Sequence, residues 1–208
     1  MSPPLAVDPA LIAKVTEYVK MYMASYDPSH DYNHIKRVVH LAQTIQARVP
    51  KTDRDIVTLA ALLHDVGDKK YLKPGEDASR MIFAALTSFG ASEALADKIQ
   101  AICLGVSYSS EIKDLARVQA LIKEHPELAV VQDADRLDAM GAVGIGRAFA
   151  FGGAKGRSLE DSLGHFEEKL LKLAAMMKTD AGREMARERT ERMRLMHEWF
   201  LQETEGIE

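Results

Sequence analysis

The chain has 208 residues, 47% hydrophobic and 28% charged, an ordinary globular composition with length enough to bury a real core. Its formal net charge of −4 provides no broad basic field, which argues against nucleic acid as a partner but leaves room for a local basic pocket. One cysteine, Cys103, allows no intramolecular disulfide, and no apolar run nears the roughly 18 residues of a membrane span. The N-terminal segment lacks the basic start and apolar stretch of a signal peptide, so the expected location is the cytoplasm.

Helical spacing runs through almost the whole chain, without strand-type alternation. A first helix over residues 9–24 carries Leu11, Ile12, Val15, Tyr18 and Val19 on one face and ends at the turn Tyr26-Asp27-Pro28-Ser29. The second starts near Asp31, carries Ile35, Val38, Val39, Ala42 and Ile45, and stops at Pro50. Thr52 with Asp55 resembles a capping box for a third helix through Ile56, Leu59, Ala60 and Leu63, with Gly67 at its C-terminus. Helices follow over 77–89, closed by Gly90, and over 92–104, closed by Gly105; 106–110 reads as a loop and 112–124 as a weaker helix. Pro126 precedes a helix running to the Gly152-Gly153 pair, and 151–157 reads as a short connecting or functional loop. Ser158 caps a helix over 159–177, and 181–203 forms a charged, amphipathic last helix. No internal repeat or low-complexity tract is present.

Three segments set ionisable residues into apolar helical patterns, where unpaired charge is costly to bury. They are residues 30–39 (His-Asp-Tyr-Asn-His-Ile-Lys-Arg-Val-Val), 60–68 (Ala-Ala-Leu-Leu-His-Asp-Val-Gly-Asp) and 130–139 (Val-Val-Gln-Asp-Ala-Asp-Arg-Leu-Asp-Ala). Adjacent helical residues project about 100° apart, so His64 and Asp65 can converge on one cation. Two imidazoles with two carboxylates suit manganese, iron(II), cobalt, nickel or zinc and tolerate magnesium, while calcium prefers oxygen alone. Within these segments His30 competes with His34, and Asp133 with Asp135.

The order His…His-Asp…Asp with these flanking residues resembles the HD-domain superfamily of metal-dependent phosphohydrolases, above all its small stand-alone bacterial and fungal members. The likeness runs over residues 26–203 and includes the later Gly-Gly stretch and the His165-Phe166 helix. It implies an all-α fold, with 1–208 as a single HD-domain helical bundle, a metal-site core over 26–150 and C-terminal helices over 158–204. It also implies His34, His64, Asp65 and Asp135 as the ligands of one divalent metal ion (Mn, Fe, Co, Ni, Mg or Zn). The pattern Ile35-Lys36-Arg37-Val38-Val39 favours His34 over His30, and Ala134 to Leu137 favours Asp135 over Asp133. Binuclear members carry extra histidines between the His-Asp pair and the last aspartate; here that interval holds only His125, which points to one metal.

The implied activity is hydrolysis of a nucleotide, from nucleoside triphosphate to monophosphate and pyrophosphate. A nucleoside monophosphatase, a nucleotide-binding regulatory module and a di-iron oxygenase are the rivals, the last lacking its additional ligands. Asp68, as in some relatives, is expected to orient or deprotonate the attacking water; the alternative is a plain helix end. Arg37, with Lys36 beside it, is expected to reach substrate phosphate, against a structural ion pair. Lys155 and Arg157, among three glycines, are expected to meet phosphate, against a bland connector. Asp138 either orients a ligand or lies on the surface, and His165 reads as a packed or surface residue. His40, His125 and His197 carry no expected role, and the Met176-Met177 and Met193–Met196 groups read as core filler.

Overall fold

The computed structural model describes residues 6–68, 72 and 77–206. Among them the elements in chain order are α1 (Pro9–Tyr22), α2 (Tyr32–Gln46), α3 (Arg54–Leu63), α4 (Met81–Ser88), α5 (Glu93–Val106) and α6 (Tyr108–Lys113). Then come α7 (Leu115–Glu124), α8 (Glu127–Asp138), α9 (Gly141–Ala154), α10 (Leu159–Glu168), a 3₁₀ segment (Leu170–Met176) and α11 (Asp180–Glu203). The fold is all-α, as expected, with no strand among the described residues. No described helix is long and apolar enough to cross a membrane.

Short polar side chains start the helices by accepting from backbone N–H groups that the first turn leaves unpaired. Asp8 accepts from Ala10 N at 2.8 Å, Asp31 from Asn33 N at 2.9 Å and His34 N at 3.2 Å, and Ser92 Oγ from Leu95 N at 3.3 Å. For α3 the cap is Asp53, which accepts from Asp55 N and Ile56 N, and not the expected Thr52. Thr52 Oγ1 donates back to Val49 O at 2.8 Å instead.

Two helices form the centre. Every residue of α3 from Ile56 to Leu63 is buried, and α8 buries every residue except Asp135. Helix α3 is apolar nearly all round and belongs inside, whereas α8 buries several polar side chains that find partners there; α2 packs on both while α5 closes the other side. Fully burying a side chain such as Leu59, Leu63, Leu128 or Val131 contributes roughly 1.5–3 kcal/mol. This core fixes the ends of α2, α3 and α8, where the charged segments lie.

Several expected boundaries move, each for a steric reason. Gly105 does not end α5; a Cβ there would meet Leu128 Cδ2 at 2.8 Å, so the glycine permits close approach of α5 and α8. The segment 106–110 is not a loop, because Ser107 caps the short helix α6 by accepting from Ser110 N at 3.1 Å. The long helix expected after Pro126 is broken in two at Ala139–Met140, where Gly141 takes a φ of +67° that side-chain-bearing residues rarely adopt. Helix α9 then extends to Ala154, so most of the expected 151–157 loop is helical. The helix expected over 159–177 ends at Glu168 and continues as the 3₁₀ segment.

Candidate metal centre

Helix α3 stops at Leu63, and the turn that follows carries His64 and Asp65. Gly67, at φ +82°, allows that reversal, and its N–H donates to the Tyr22 hydroxyl at 3.2 Å. His64 and Asp65 therefore sit in the turn that closes α3, which ends a few residues before the expected cap at Gly67. Asp31 caps α2 and so fixes His34 in its first turn, while Asp135 is the one residue of α8 that is not buried.

These four side chains converge. His34 Nε2 lies 3.2 Å from His64 Nε2, 3.3 Å from Asp65 Oδ2 and 3.6 Å from Asp135 Oδ1. His64 Nε2 lies 3.5 Å from Asp65 Oδ1 and 3.7 Å from Asp135 Oδ1. Ligand atoms of His34, His64 and Asp135 all fall within 4.8 Å of one another. Both histidine side chains are 1% exposed, against 14% for Asp65 and 27% for Asp135, so the cluster opens on its carboxylate side.

The outer ring nitrogens decide what the cluster can hold. His34 Nδ1 donates to Asp138 Oδ2 at 2.8 Å, and His64 Nδ1 donates to Ala61 O at 2.8 Å. A carboxylate and a carbonyl can only accept, so both Nδ1 atoms carry hydrogen. Each ring then turns its Nε2 inward, and two such nitrogens 3.2 Å apart need a proton or a metal cation to keep their lone pairs from opposing each other. Two nitrogens each about 2.1 Å from one ion, at roughly a right angle, stand about 3 Å apart. Asp65 Oδ2 is buried with no hydrogen-bond partner among the described residues, a further acceptor in need of a cation. The donor set fits a divalent metal ion.

The electrostatics agree. Burial opposes a charged His64, but Asp65 and Asp135 outweigh it and raise the ring from 6.5 to about 9. Burial likewise opposes charge on Asp65 and Asp135, and His64 with His34 holds both well below the usual carboxylate range. Two carboxylates facing two imidazole Nε2 atoms amount to a site that draws positive charge, supplied by protons or by a metal ion that displaces them.

Asp133 belongs elsewhere. It accepts from Lys178 N, Thr179 N and Thr179 Oγ1 at 2.8, 2.8 and 2.7 Å, anchoring the entry to α11. Asp138 is not a surface residue but holds the His34 ring: besides His34 it accepts from Arg37 Nε at 2.7 Å, Arg37 Nη2 at 3.1 Å and Arg147 Nη1 at 3.1 Å, at 1% side-chain exposure. Burial pushes its carboxyl up, but the bonds from His34 and Arg37, with Arg147 nearby, bring it down to about 2.

Arg37 is thus engaged in an ion pair, and Lys36 sits 5.7 Å from the Tyr32 ring, on the side of Asp138 remote from the His34 Nε2 edge. Lys155 and Arg157 lie differently. Their charged groups stand 5.6 and 5.7 Å from the Phe151 ring, Phe151 meets the His30 ring at 5.9 Å, and His30 meets His34 at 5.9 Å. The break at Gly141 is what returns α9 toward α2. Asp68 follows the His64–Gly67 turn, its N–H donating to Asp65 O at 3.2 Å, and both Asp65 and Asp68 help to suppress ionisation of Tyr26. His30 Nδ1 meets Ser29 Oγ at 2.6 Å, and its ring stands 5.9 Å from that of His34. The side chain of His165 lies outside the described residues.

Arg147 is the residue that sequence reasoning missed. It bridges Ser29 O at 2.6 Å and Asp138, pinning the turn before α2 to the carboxylate that orients His34. Its signal was available: it is the one charged residue in the glycine-rich apolar helix α9.

A convergent His-His-Asp-Asp cluster at the ends of buried helices defines a metal-binding helical domain, and the comparisons identify which one. The family description "HD domain" matches residues 31–140 of the chain, which spans all four candidate ligands, and the chain belongs to that family. The uncharacterized protein YpgQ of Bacillus subtilis (strain 168) is 39% identical over 180 residues, 85% of each chain. A crystal structure of B. subtilis YpgQ in complex with ADP superposes with TM-score 0.74 at 37% identity, covering 93% of this chain and 100% of that one. A Lactobacillus plantarum structure gives TM-score 0.82 at 28% identity over 95% of this chain and 98% of the other. An HD-superfamily hydrolase from Bacillus thuringiensis gives 0.69 at 33% identity, covering 94% and 97%.

Proposed function

We propose that the protein is a metal-dependent phosphohydrolase acting on a nucleotide, releasing pyrophosphate from a nucleoside triphosphate and leaving the monophosphate. The observation that carries the reading is the pair of inward Nε2 atoms, 3.2 Å apart beside two acidic carboxylates, in an HD-domain chain. YpgQ, crystallised with ADP, supports a nucleotide as the substrate class.

His34, His64, Asp65 and Asp135 would hold one divalent ion, of the class Mn, Fe, Co, Ni, Mg or Zn. When bound, such an ion neutralises phosphate oxygens and acidifies a water molecule. The protein's own groups supply the rest. Asp138 and the Ala61 carbonyl hold the two imidazoles in the tautomer that presents Nε2. Asp68, just past the His64–Gly67 turn, takes the proton of the attacking water. Lys155 and Arg157, beyond Phe151 and His30, neutralise the phosphates that leave as pyrophosphate. Asp65 and Asp135 form the more open wall, through which substrate enters.

Hydrolysis of a panel of nucleoside mono-, di- and triphosphates in ¹⁸O-labelled water tests this reading. Label in the monophosphate with unlabelled pyrophosphate is the expected result. Label confined to orthophosphate would indicate a phosphatase instead, and tight binding without turnover a regulatory module.

A further inference from the structure

A second feature lies behind the candidate metal centre. Helices α2, α9 and α11 enclose a cleft of about 410 Å³ with Leu41 and Val143 as its apolar lining, a size within the range of small-molecule pockets. Lys36, Arg37, His40 and Arg189 stand around it, and Asp138 forms its inner wall. Lys36, Arg37 and Arg189 set three positive charges against the single carboxylate of Asp138, in a chain whose net charge is −4. Arg37 spends Nε and Nη2 on Asp138, leaving Nη1 without a hydrogen bond among the described residues. Lys36 and His40 are exposed.

The cleft and the metal centre lie on opposite edges of one imidazole. Asp138 takes His34 Nδ1, whereas His34 Nε2 meets His64, Asp65 and Asp135. The inner wall of the cleft is thus the carboxylate bonded to Nδ1, whereas the candidate metal position lies on the Nε2 edge. We propose that this cleft is a second ligand site, distinct from the metal centre, that takes a nucleoside monophosphate or an organic phosphate of similar size. The phosphate meets Arg37 Nη1, Lys36 and Arg189, and the base lies over Leu41 and Val143. Arg groups favour phosphate because their fork offers several donors in one plane. An occupant drawing on Arg37 competes with Asp138 for it, so binding here reaches His34 through two hydrogen bonds. The choice of a nucleoside monophosphate rests on the proposed function, of which it is the product; the existence of an organic-phosphate site does not.

Calorimetric titration of the metal-loaded full chain with adenosine 5′-monophosphate tests the site, using a His40→Glu/Val143→Glu double variant. Both positions are exposed, Val143 at 41%, so the added carboxylates repel phosphate with little cost to packing. The expected result is a component of binding that weakens at least tenfold in this variant and stays within threefold of wild type in His40→Gln/Val143→Gln. Turnover of triphosphate without added monophosphate should be unchanged in both. Titration with adenosine should give no such component. An identical isotherm in wild type and the Glu variant, or adenosine binding as tightly as the monophosphate, overturns the proposal. Failure of the chain to hydrolyse any nucleotide would refute the proposed function while leaving this binding result readable.

Discussion

Asp138→Asn isolates the group that fixes His34. The carboxylate accepts four hydrogen bonds, from His34, twice from Arg37 and from Arg147, at 1% exposure. An amide keeps the shape but replaces one acceptor oxygen by a donor. Placed opposite His34 Nδ1, that NH₂ forces the ring to give up its Nδ1 hydrogen and carry it on Nε2, where the inward lone pair is lost. Turned the other way, it opposes Arg37 Nε–H. Loss of such an orienting partner typically lowers metal affinity roughly 10–100-fold, or about 1.4–2.8 kcal/mol. Stability should fall too. A carboxyl held at about 2 against its ordinary 3.8 contributes roughly 2 kcal/mol of folding free energy. The folded pKa is depressed, so this stability is present above about pH 4 and is lost as pH falls toward about 2. The variant should lack that part of the acid dependence. Competition against a chromophoric chelator gives the metal affinity, and urea unfolding at neutral and acid pH gives the stability. A metal Kd within threefold of wild type in a folded variant refutes the argument.

Asp135→Ala should lose metal and activity together, whereas Asp133→Ala should keep its metal and lose stability, by about 1–3 kcal/mol for stranding the Lys178 and Thr179 donors. Burial pushes the Asp133 carboxyl above its ordinary value, so its contribution to stability improves as pH falls; Asp133→Asn, which keeps one acceptor oxygen for these donors, should cost less than Asp133→Ala. Elemental analysis with thermal unfolding checks all three, and metal loss in the Asp133 variants alone would reverse the assignment. Asp68→Asn should retain metal and lose turnover by roughly 10²–10⁴; activity within a few-fold of wild type removes it from the mechanism. Lys155→Ala/Arg157→Ala should raise KM more for triphosphate than for monophosphate with a smaller change in kcat, and an unchanged KM for every nucleotide would return the α9 end to a plain connector.

The all-α class was legible in the helical spacing, whereas the grouping of His34, His64, Asp65 and Asp135 came from the resemblance of the three segments to HD-domain proteins; the residues alone left His30 against His34 and Asp133 against Asp135 open. Boundaries set by tertiary contact were not legible. Gly105 read as a helix end and Gly141 fell inside an expected helix, and the structure reverses both. One serves the approach of Leu128 and the other a left-handed break, and only the packed neighbours distinguish them. Reading residues 126–153 as one helix hid the break at Gly141, after which α9 brings Phe151 to within 5.9 Å of the His30 ring. Asp133 and Asp135 lie two positions apart on one helix, which turns their side chains about 200° from each other. No local rule says which faces α2 and α3 and which faces the Lys178-Thr179 turn. Arg37 had two readings from its spacing, and the ion pair with Asp138 depends on a residue 101 positions away.

The central claim is that hydrolysis depends on one divalent ion held by these four side chains. The most direct measurement removes metal from the full chain with a chelator and restores it stepwise, following nucleoside triphosphate turnover and bound metal together. The account predicts no turnover without metal, activity rising in proportion to bound ion, and saturation at one ion per chain. Undiminished turnover in the stripped protein, or saturation only at two ions per chain, would contradict it.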